Sequence, residues 1–248
     1  FNILFYVFGL KLNSQSFLLL ARSVNYKILL KHHNNLLQIE SILFGQAGYL
    51  DKKLDDYQKR LKEEYDFLRV KYGFISLSNS IFKRFRTRPY SQPTIRIAQL
   101  ASIIYNIDNI FSKIVNLRSK DELLDILKNT DISEYWNNHF FFGKQSCNNV
   151  KKRLSKEKID NIIINCIVPL IFSYGKYVVD DTYCSRAVEI LQQTKPENNN
   201  IIRNFVNRGF PVYNAADTQA LIHLKNNYCS KRNCLQCGIL QRVFIFHS

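Results

Sequence analysis

Residues 51–72 constrain the fold more than any other stretch, because their apolar positions recur at helical spacing for about six turns. These positions step by three and four residues and comprise Leu54, Tyr57, Leu61, Tyr65, Leu68 and Tyr72. Such spacing places them on one face of a helix, and a glycine such as Gly73 is typical of the residue that ends one. The stretch therefore predicts a long amphipathic helix whose apolar stripe packs against a core.

Most of the remaining chain also predicts helices. Helical periodicity or capping patterns mark residues 16–28, 34–45, 93–105, 108–117, 120–129, 155–174, 182–193, 197–207 and 215–228. Ser16 is expected to cap the first of these, Asn34 or Asn35 to begin the second, and Asn214 with Asp217 to cap the last. No stretch alternates as a strand does. We therefore predict a mainly α fold, a multi-helix globular array with a short cysteine-containing C-terminal hook. It is expected to form one domain over residues 1–248, with a subdivision near residue 150 as the alternative. Because the chain opens with FNILFYVFGL rather than Met, it is expected to begin partway through a longer protein, of which the family resemblance given below makes it the C-terminal portion.

The basic stretch at residues 82–101, FKRFRTRPYSQPTIRIAQLA, contains the candidate binding residues. No Asp or Glu lies between Asp66 and Asp108, so the bases there have no acidic neighbour in the sequence. The arginines concerned are Arg84, Arg86, Arg88 and Arg96. If the chain is extended before Pro89, the first three guanidinium groups share one side and Phe85 points to the other.

Pro93 suits the first position of a helix, which places Arg96 in the first helical turn. The helix dipole disfavours a cation there, and this indicates an anion nearby. Free N–H groups at a helix start together with arginines can hold a phosphate. We therefore predict that Arg84, Arg86, Arg88 and Arg96 bind phosphates. The alternatives are a solvated surface, or arginines that pair with acids distant in sequence.

The net charge of +15, from 35 Lys and Arg against 20 Asp and Glu, favours polyanionic partners. Nucleic acid, an anionic membrane face and an acidic protein all meet this description. The chain is also rich in Asn, Lys and Ile, as an AT-rich genome would encode, so the clustering of charge is more informative than its sum. The closest approach to a membrane span, residues 159–172, is interrupted by polar residues and Pro169 and predicts a buried core helix instead.

Three cysteines, Cys229, Cys234 and Cys237, follow the last predicted helix with C-x4-C-x2-C spacing. Two or three thiolates near one metal are typical of a zinc site. A tetrahedral site needs a fourth ligand, for which the candidates are His223, Cys184 and His247. The alternative is three reduced thiols that help to pack the C-terminus. Nothing indicates secretion, so a cytoplasmic location with free thiols is expected.

We find no catalytic constellation, and whether the chain is an enzyme stays open. Glu40 is a polar residue among apolar ones, but a single carboxylate is not an acid–base pair. His139 lies among aromatic residues and predicts a core histidine, with base stacking as the alternative. The sequence has no phosphate-cradling glycine-rich loop, nucleophile motif or carboxylate cluster for a nuclease metal, and it indicates no small-molecule substrate.

The chain contains, in this order, the segments YKILLKHHNNLLQIESILFGQAG, RFRTRPYSQPTIRIAQLA, YWNNHFFFGKQS, NIIINCIVPLIFSYG and NAADTQALIHLKNNYCSKRNCLQCGI. Together they resemble the C-terminal part of a bacterial family, domain-of-unknown-function family 2851. Members of this family have no established function. The resemblance implies an upstream segment whose carboxylate patterns are similar to a restriction-endonuclease metal site. This chain would then be a helical accessory portion that cannot cleave by itself.

Three hypotheses follow from these patterns. The first is a basic helical portion that binds nucleic-acid phosphates, accessory to an absent N-terminal nuclease-like module. The second is a structural or protein-interaction domain with an acidic partner and no nucleic acid. The third is an enzyme whose site is shared with the missing part.

Overall fold

The structure is a computed structural model that describes residues 1–51, 55–128, 130–147 and 149–245, with side chains as far as Arg242. The stripe residue Leu54 and the candidate ligand His247 lie outside these ranges. The chain is mainly helical, as predicted. It forms two compact units, Phe1–Ile167 and Val168–Ser248. That residues 1–248 form one domain stays a prediction.

Unit 1 is an array of α-helices with one small hairpin. The helices are α1 (Asn2–Phe8), α2 (Leu10–Ser23), α3 (Tyr26–Lys31), α4 (Leu36–Gln46), α5 (Asp56–Tyr72), α6 (Pro93–Asn106), α7 (Ile110–Val115), α8 (Lys120–Lys128) and α9 (Lys156–Ile162). The antiparallel hairpin joins β1 (His139–Phe141) to β2 (Lys144–Gln145), and His139 pairs with Gln145. A π-helical segment, Ile163–Ile167, ends the unit.

Helices α4 and α6 form the centre of unit 1. Residues 93–104 of α6 are all buried, and so are residues 39–46 of α4. A helix that is buried all round lies inside a core rather than on its surface. The long helix α5 packs against α4 through the predicted stripe, of which Leu61, Tyr65 and Leu68 are buried.

Local capping signals set the ends of these helices. The Asp55 side chain accepts a hydrogen bond from the Gln58 backbone at the start of α5, and Gly73 ends that helix in the left-handed conformation with φ 65°. Asn35 caps α4 in the same way, and Pro93 opens α6 as predicted. These signals work because they satisfy backbone groups that a helix leaves unpaired at its ends.

Ser16 does not cap a helix, and that prediction was wrong. It lies in the middle of α2, where its hydroxyl donates to the Ile81 carbonyl at 2.6 Å. A serine hydroxyl can either cap a helix or bond a distant carbonyl. The residues next to Ser16 in the sequence do not distinguish these two roles.

Unit 2 contains α10 (Val168–Val178), α11 (Asp181–Gln193), α12 (Asn200–Val206), α13 (Ala215–His223) and α14 (Gly238–Ile245). Helices α10 and α11 approach closely at Gly175, where an added Cβ would lie 2.7 Å from the Tyr183 Cβ. Asn214 and Asp217 form the predicted capping box of α13. The π-helical segment Leu224–Cys229 follows, and a 3-10 turn, Cys234–Gln236, precedes α14.

Residues Lys156–Val178 are long and apolar enough to cross a membrane by length and composition, which the sequence analysis did not find. In the structure 44% of the most apolar window is buried. The core helix of a soluble protein meets the same criterion, so this observation is weak. A cytoplasmic location stays a prediction.

Candidate nucleic-acid interface

Unit 1 has an open cleft of about 1080 Å³ that contains part of the basic stretch. Its walls come from α2, the α4–α5 connection, the start of α6 and the hairpin. The lining residues are Leu12, Gly48, Tyr49, Asp51, Gln58, Asn79, Ser80, Phe82, Lys83, Arg84, Phe85, Arg86, Thr94, Phe141 and Phe142. Basic and aromatic side chains therefore share one concave surface.

Helix α2 fixes the segment that carries the basic residues. Asn13 accepts a hydrogen bond from the Lys83 backbone N–H at 2.7 Å and donates to the Lys83 carbonyl at 2.9 Å. Phe82 is buried, and its ring meets Phe17 edge-on at a centroid distance of 5.6 Å. The backbone before Arg84 is thus held at both its donor and its acceptor, which pre-organises the residues that follow.

The chain turns at Phe85 and Arg86 instead of continuing extended, so the condition for a one-sided row of arginines is not met. Arg86 is in the left-handed region with φ 62°. Two side chains hold the turn through the Arg84 carbonyl, which accepts from Thr87 Oγ1 at 2.6 Å and from Gln92 Nε2 at 3.4 Å. The alternation of residue types along the sequence does not reveal these hydrogen bonds, because they depend on the path of the backbone after Arg86.

Tyr49 lies beneath Arg84 in the cleft. The Arg84 guanidinium lies 5.2 Å from the Tyr49 ring centroid, a cation–π arrangement. Burial raises the pKa of Tyr49 to about 12, although the Arg84 charge lowers it. The Tyr49 carbonyl accepts from Gln58 Nε2 at 2.8 Å, which ties this wall to α5.

Gly48 permits this arrangement of Tyr49. Its φ is +71°, and an added Cβ would lie 2.2 Å from the Leu77 carbonyl oxygen. A side chain at this position would be strained and would push the Leu77 backbone away. The glycine therefore allows the end of α4 to approach the segment that leads to the cleft.

The cleft carries more positive than negative charge. Lys83, Arg84 and Arg86 line it and are exposed, while Asp51 is the only acid among the described lining residues. Within the described ranges no carboxylate lies within 4.0 Å of these three cations. Cations without acidic partners raise the local potential and attract anions.

The other two predicted arginines lie outside the lining of the cleft. Arg88 is exposed and begins the 3-10 turn Pro89–Ser91. Arg96 is 8% exposed and donates to Gln99 Oε1 at 2.8 Å and to Ser91 Oγ at 3.4 Å. Burial lowers the pKa of Arg96 to about 10. That all four arginines bind phosphate stays a prediction.

Arg96 belongs to a group of buried cations that the sequence analysis missed. Lys152 donates to the backbone carbonyls of Trp136 and Asn137, and Lys158 Nζ donates to the Val7 carbonyl at 2.7 Å. Burial, and next the charge of Arg96, lower the pKa of Lys158 to about 6. Carbonyl oxygens replace water as the hydrogen-bond partners of these two buried amines.

Glu40 lies in the core with no exposed surface. Its carboxyl group accepts hydrogen bonds from Tyr57 Oη, from Ser133 Oγ at 2.7 Å and from Trp136 Nε1 at 3.3 Å. Burial raises the pKa of Glu40 to about 7, against the opposing effect of these three donors. The described cavities do not include Glu40 among their lining residues. The carboxyl group therefore links α4, α5 and the Glu134–Asn137 turn as a structural element.

The three C-terminal cysteines are free thiols, of which Cys229 and Cys234 are exposed and Cys237 is buried. Over the described ranges, no three or more His, Cys, Asp and Glu residues are grouped so as to hold a metal. Of the candidate fourth ligands, His223 bonds to Asn227 and Cys184 donates to the Phe172 carbonyl. Zinc stays a prediction from the spacing.

We expect purified protein prepared without added metal to contain up to one equivalent of zinc, because thiolates at this spacing bind it. Elemental analysis measures this directly. The matched control is the Cys229→Ser, Cys234→Ser, Cys237→Ser variant, which should contain none. If the natural protein contains neither zinc nor iron and a chelator leaves its stability unchanged, the cysteines serve packing alone.

Comparison with models of protein families finds one match. Residues 1–200 match the family described as "Protein of unknown function (DUF2851)", a range that ends before the three cysteines. No curated protein and no solved structure matches the chain. Because the matched range covers most of the 248 residues, the chain belongs to the DUF2851 family, which its sequence motifs resemble.

Proposed function

We propose that the cleft of unit 1 binds the phosphate backbone of a nucleic acid. The observation that carries the proposal is the presence of Lys83, Arg84 and Arg86 in one cleft without ion-pair partners among the described residues. A cation that is paired with an acid of the same protein adds little to the positive potential that attracts an anionic ligand. These three cations are not paired in this way, so they contribute fully to that potential.

The fixed backbone of the segment supports the same function. Asn13 donates to the Lys83 carbonyl and accepts from the Lys83 N–H, which fixes the backbone there, and cation–π contact with Tyr49 positions the Arg84 side chain. Side chains that are already positioned lose less conformational entropy when they bind. Arg88, exposed at the start of the next turn, extends the basic surface beyond the cleft. Arg96 contributes by keeping Ser91 and Gln99 in place at the start of α6.

We expect Arg86→Ala to weaken binding to all nucleic-acid sequences alike and to reduce the dependence on salt. Each phosphate contact releases counterions and contributes about 0.9 to the log–log slope on duplex DNA, or about 0.7 on a single strand. Arg86 is the most informative position, because it is exposed and its left-handed backbone costs Ala no more than Arg. Fluorescence anisotropy of labelled oligonucleotides at several salt concentrations measures the slope.

The matched control is Arg22→Ala, which removes the same charge from an exposed residue at the end of α2, outside the cleft. It should leave the slope unchanged. Lys52 and Lys53, the other reference positions near the long helix, lie outside the described residues. A folded Lys83→Ala, Arg84→Ala, Arg86→Ala variant with the natural slope would contradict phosphate binding in the cleft. Absence of any salt-dependent binding by the natural protein would favour the interaction domain with an acidic partner.

A further inference from the structure

The most exposed aromatic ring of the cleft belongs to Phe85. Phe85 is 92% exposed, although it lies between Arg84 and Arg86 and lines the cleft. By contrast, Phe82 and Phe142 in the same lining are buried. Leaving the apolar ring of a Phe in water is unfavourable. Packing of the core therefore does not explain this ring.

The turn holds Phe85 in this exposed position. The backbone of Arg86, the next residue, is in the left-handed region. The carbonyl of Arg84, the preceding residue, accepts hydrogen bonds from the side chains of Thr87 and Gln92. The ring is therefore presented by an ordered backbone between two guanidinium groups. Proteins that bind single strands combine such cations, which contact phosphates, with aromatic rings on which bases stack.

We propose that Phe85 stacks on a nucleobase, so that the cleft binds single-stranded DNA or RNA in preference to a duplex. This inference rests on the proposed function and names its substrate. In a duplex, bases are paired and their faces are covered by neighbouring bases, whereas a single strand can splay a base onto a ring. Arg84 and Arg86 would contact the phosphates on either side, while the stack on Phe85 selects for unpaired bases.

Phe85→Trp gives a direct probe of stacking. The chain contains a single Trp, Trp136, which is fully buried, so added fluorescence comes from position 85. Oligothymidylate or oligouridylate of about 12 nucleotides, within the site size of such clefts, should quench it. A strand of equal length without bases should bind through its phosphates but leave the fluorescence unchanged. Phe67→Trp is the control, because Phe67 is 63% exposed on α5 outside the cleft.

Phe85→Leu tests the contribution to affinity. Because the ring is exposed, its loss removes no buried contact, and the variant should fold normally. We expect affinity for the single strand to fall about five- to a hundredfold, with the salt slope unchanged, since stacking adds affinity without counterion release. The natural protein should bind a duplex of the same length more weakly than the single strand, and Phe85→Leu should change the affinity for the duplex little.

The outcomes separate this inference from the proposed function. If Arg86→Ala reduces the slope but Phe85→Leu binds as tightly as the natural protein, phosphate binding stands and stacking is wrong. Binding without quenching of the Phe85→Trp variant, or tighter binding to the duplex, also contradicts stacking. If no strand binds in a salt-dependent manner, the proposed function and this inference both fail.

Discussion

Glu40→Ala is expected to lower the free energy of unfolding by about 4 kcal/mol. The variant leaves a cavity in a site with no exposed surface. It also leaves the donors of Tyr57, Ser133 and Trp136 without their acceptor. Chemical denaturation at a pH below the folded-state pKa of about 7 measures the loss.

The control is Glu63→Gln, which alters an exposed carboxylate on α5 and should change stability by less than about 0.5 kcal/mol. If Glu40→Ala changes stability as little as this control does, the three hydrogen bonds to Glu40 do not hold the core together.

Glu40 also predicts a pH dependence whose sign can be worked out. Its pKa is 4.5 without the fold and about 7 within it, so between these values the folded state binds more protons than the unfolded state. Its contribution to stability is therefore fully present below pH 4.5 and is lost as pH rises through about 7. The total loss in the free energy of unfolding is about 3 kcal/mol, since each pKa unit of difference between the two states corresponds to about 1.36 kcal/mol. The Glu40→Gln side chain cannot ionise. The free energy of unfolding of the natural protein minus that of this variant should therefore decrease with pH over this range. Equal pH profiles for the two proteins would contradict the prediction.

Lys158→Met is expected to raise the free energy of unfolding at pH 7 by about 2–3 kcal/mol, the largest gain that the structure indicates. Lys158 is 4% exposed, and Arg96 in the same core keeps its charge. The lysine therefore gives up its proton on folding. Methionine preserves the apolar stem and avoids that cost, but it loses the hydrogen bond to Val7, about 1 kcal/mol.

The pH dependence from Lys158 has the opposite sign to that from Glu40. Its pKa is 10.5 in the unfolded chain and about 6 in the fold, so the unfolded state binds more protons between these values. The free energy of unfolding therefore rises with pH between about 6 and 10.5. Above pH 10.5 the proton costs nothing, because the amine is neutral in both states, and the cost grows as pH falls to about 6. The advantage of Lys158→Met should thus shrink as pH rises from 7 towards 10.5. Urea denaturation across this range measures it.

Lys27→Met is the matched control, because Lys27 is exposed on α3 and should behave like the natural protein at every pH. A Lys158→Met variant that is less stable than the natural protein at pH 7 would contradict the prediction. The amine would then be a charged group that its surroundings stabilise, chiefly the Val7 carbonyl and the Phe8 ring.

The sequence by itself determined most of the helices and several of their ends. The caps at Asn35 and Asn214, the end of α5 at Gly73 and the start of α6 at Pro93 lie where the pattern predicts them. These features depend on bonds between residues about four apart, so the information lies within each short window. Family membership was also evident from sequence motifs, since it depends on residue identity and order.

Only the tertiary structure decided the environment of the charged residues. Glu40 meets partners that are 17, 93 and 96 residues away in the chain. Arg96, which the sequence placed at a phosphate, lies in the core with Lys158 nearby, whereas Arg84 and Arg86 line the cleft. Four arginines of one short stretch thus have different environments, because burial and pairing depend on which distant segments pack there. Spacing along the chain specifies a helix face but not what that face contacts.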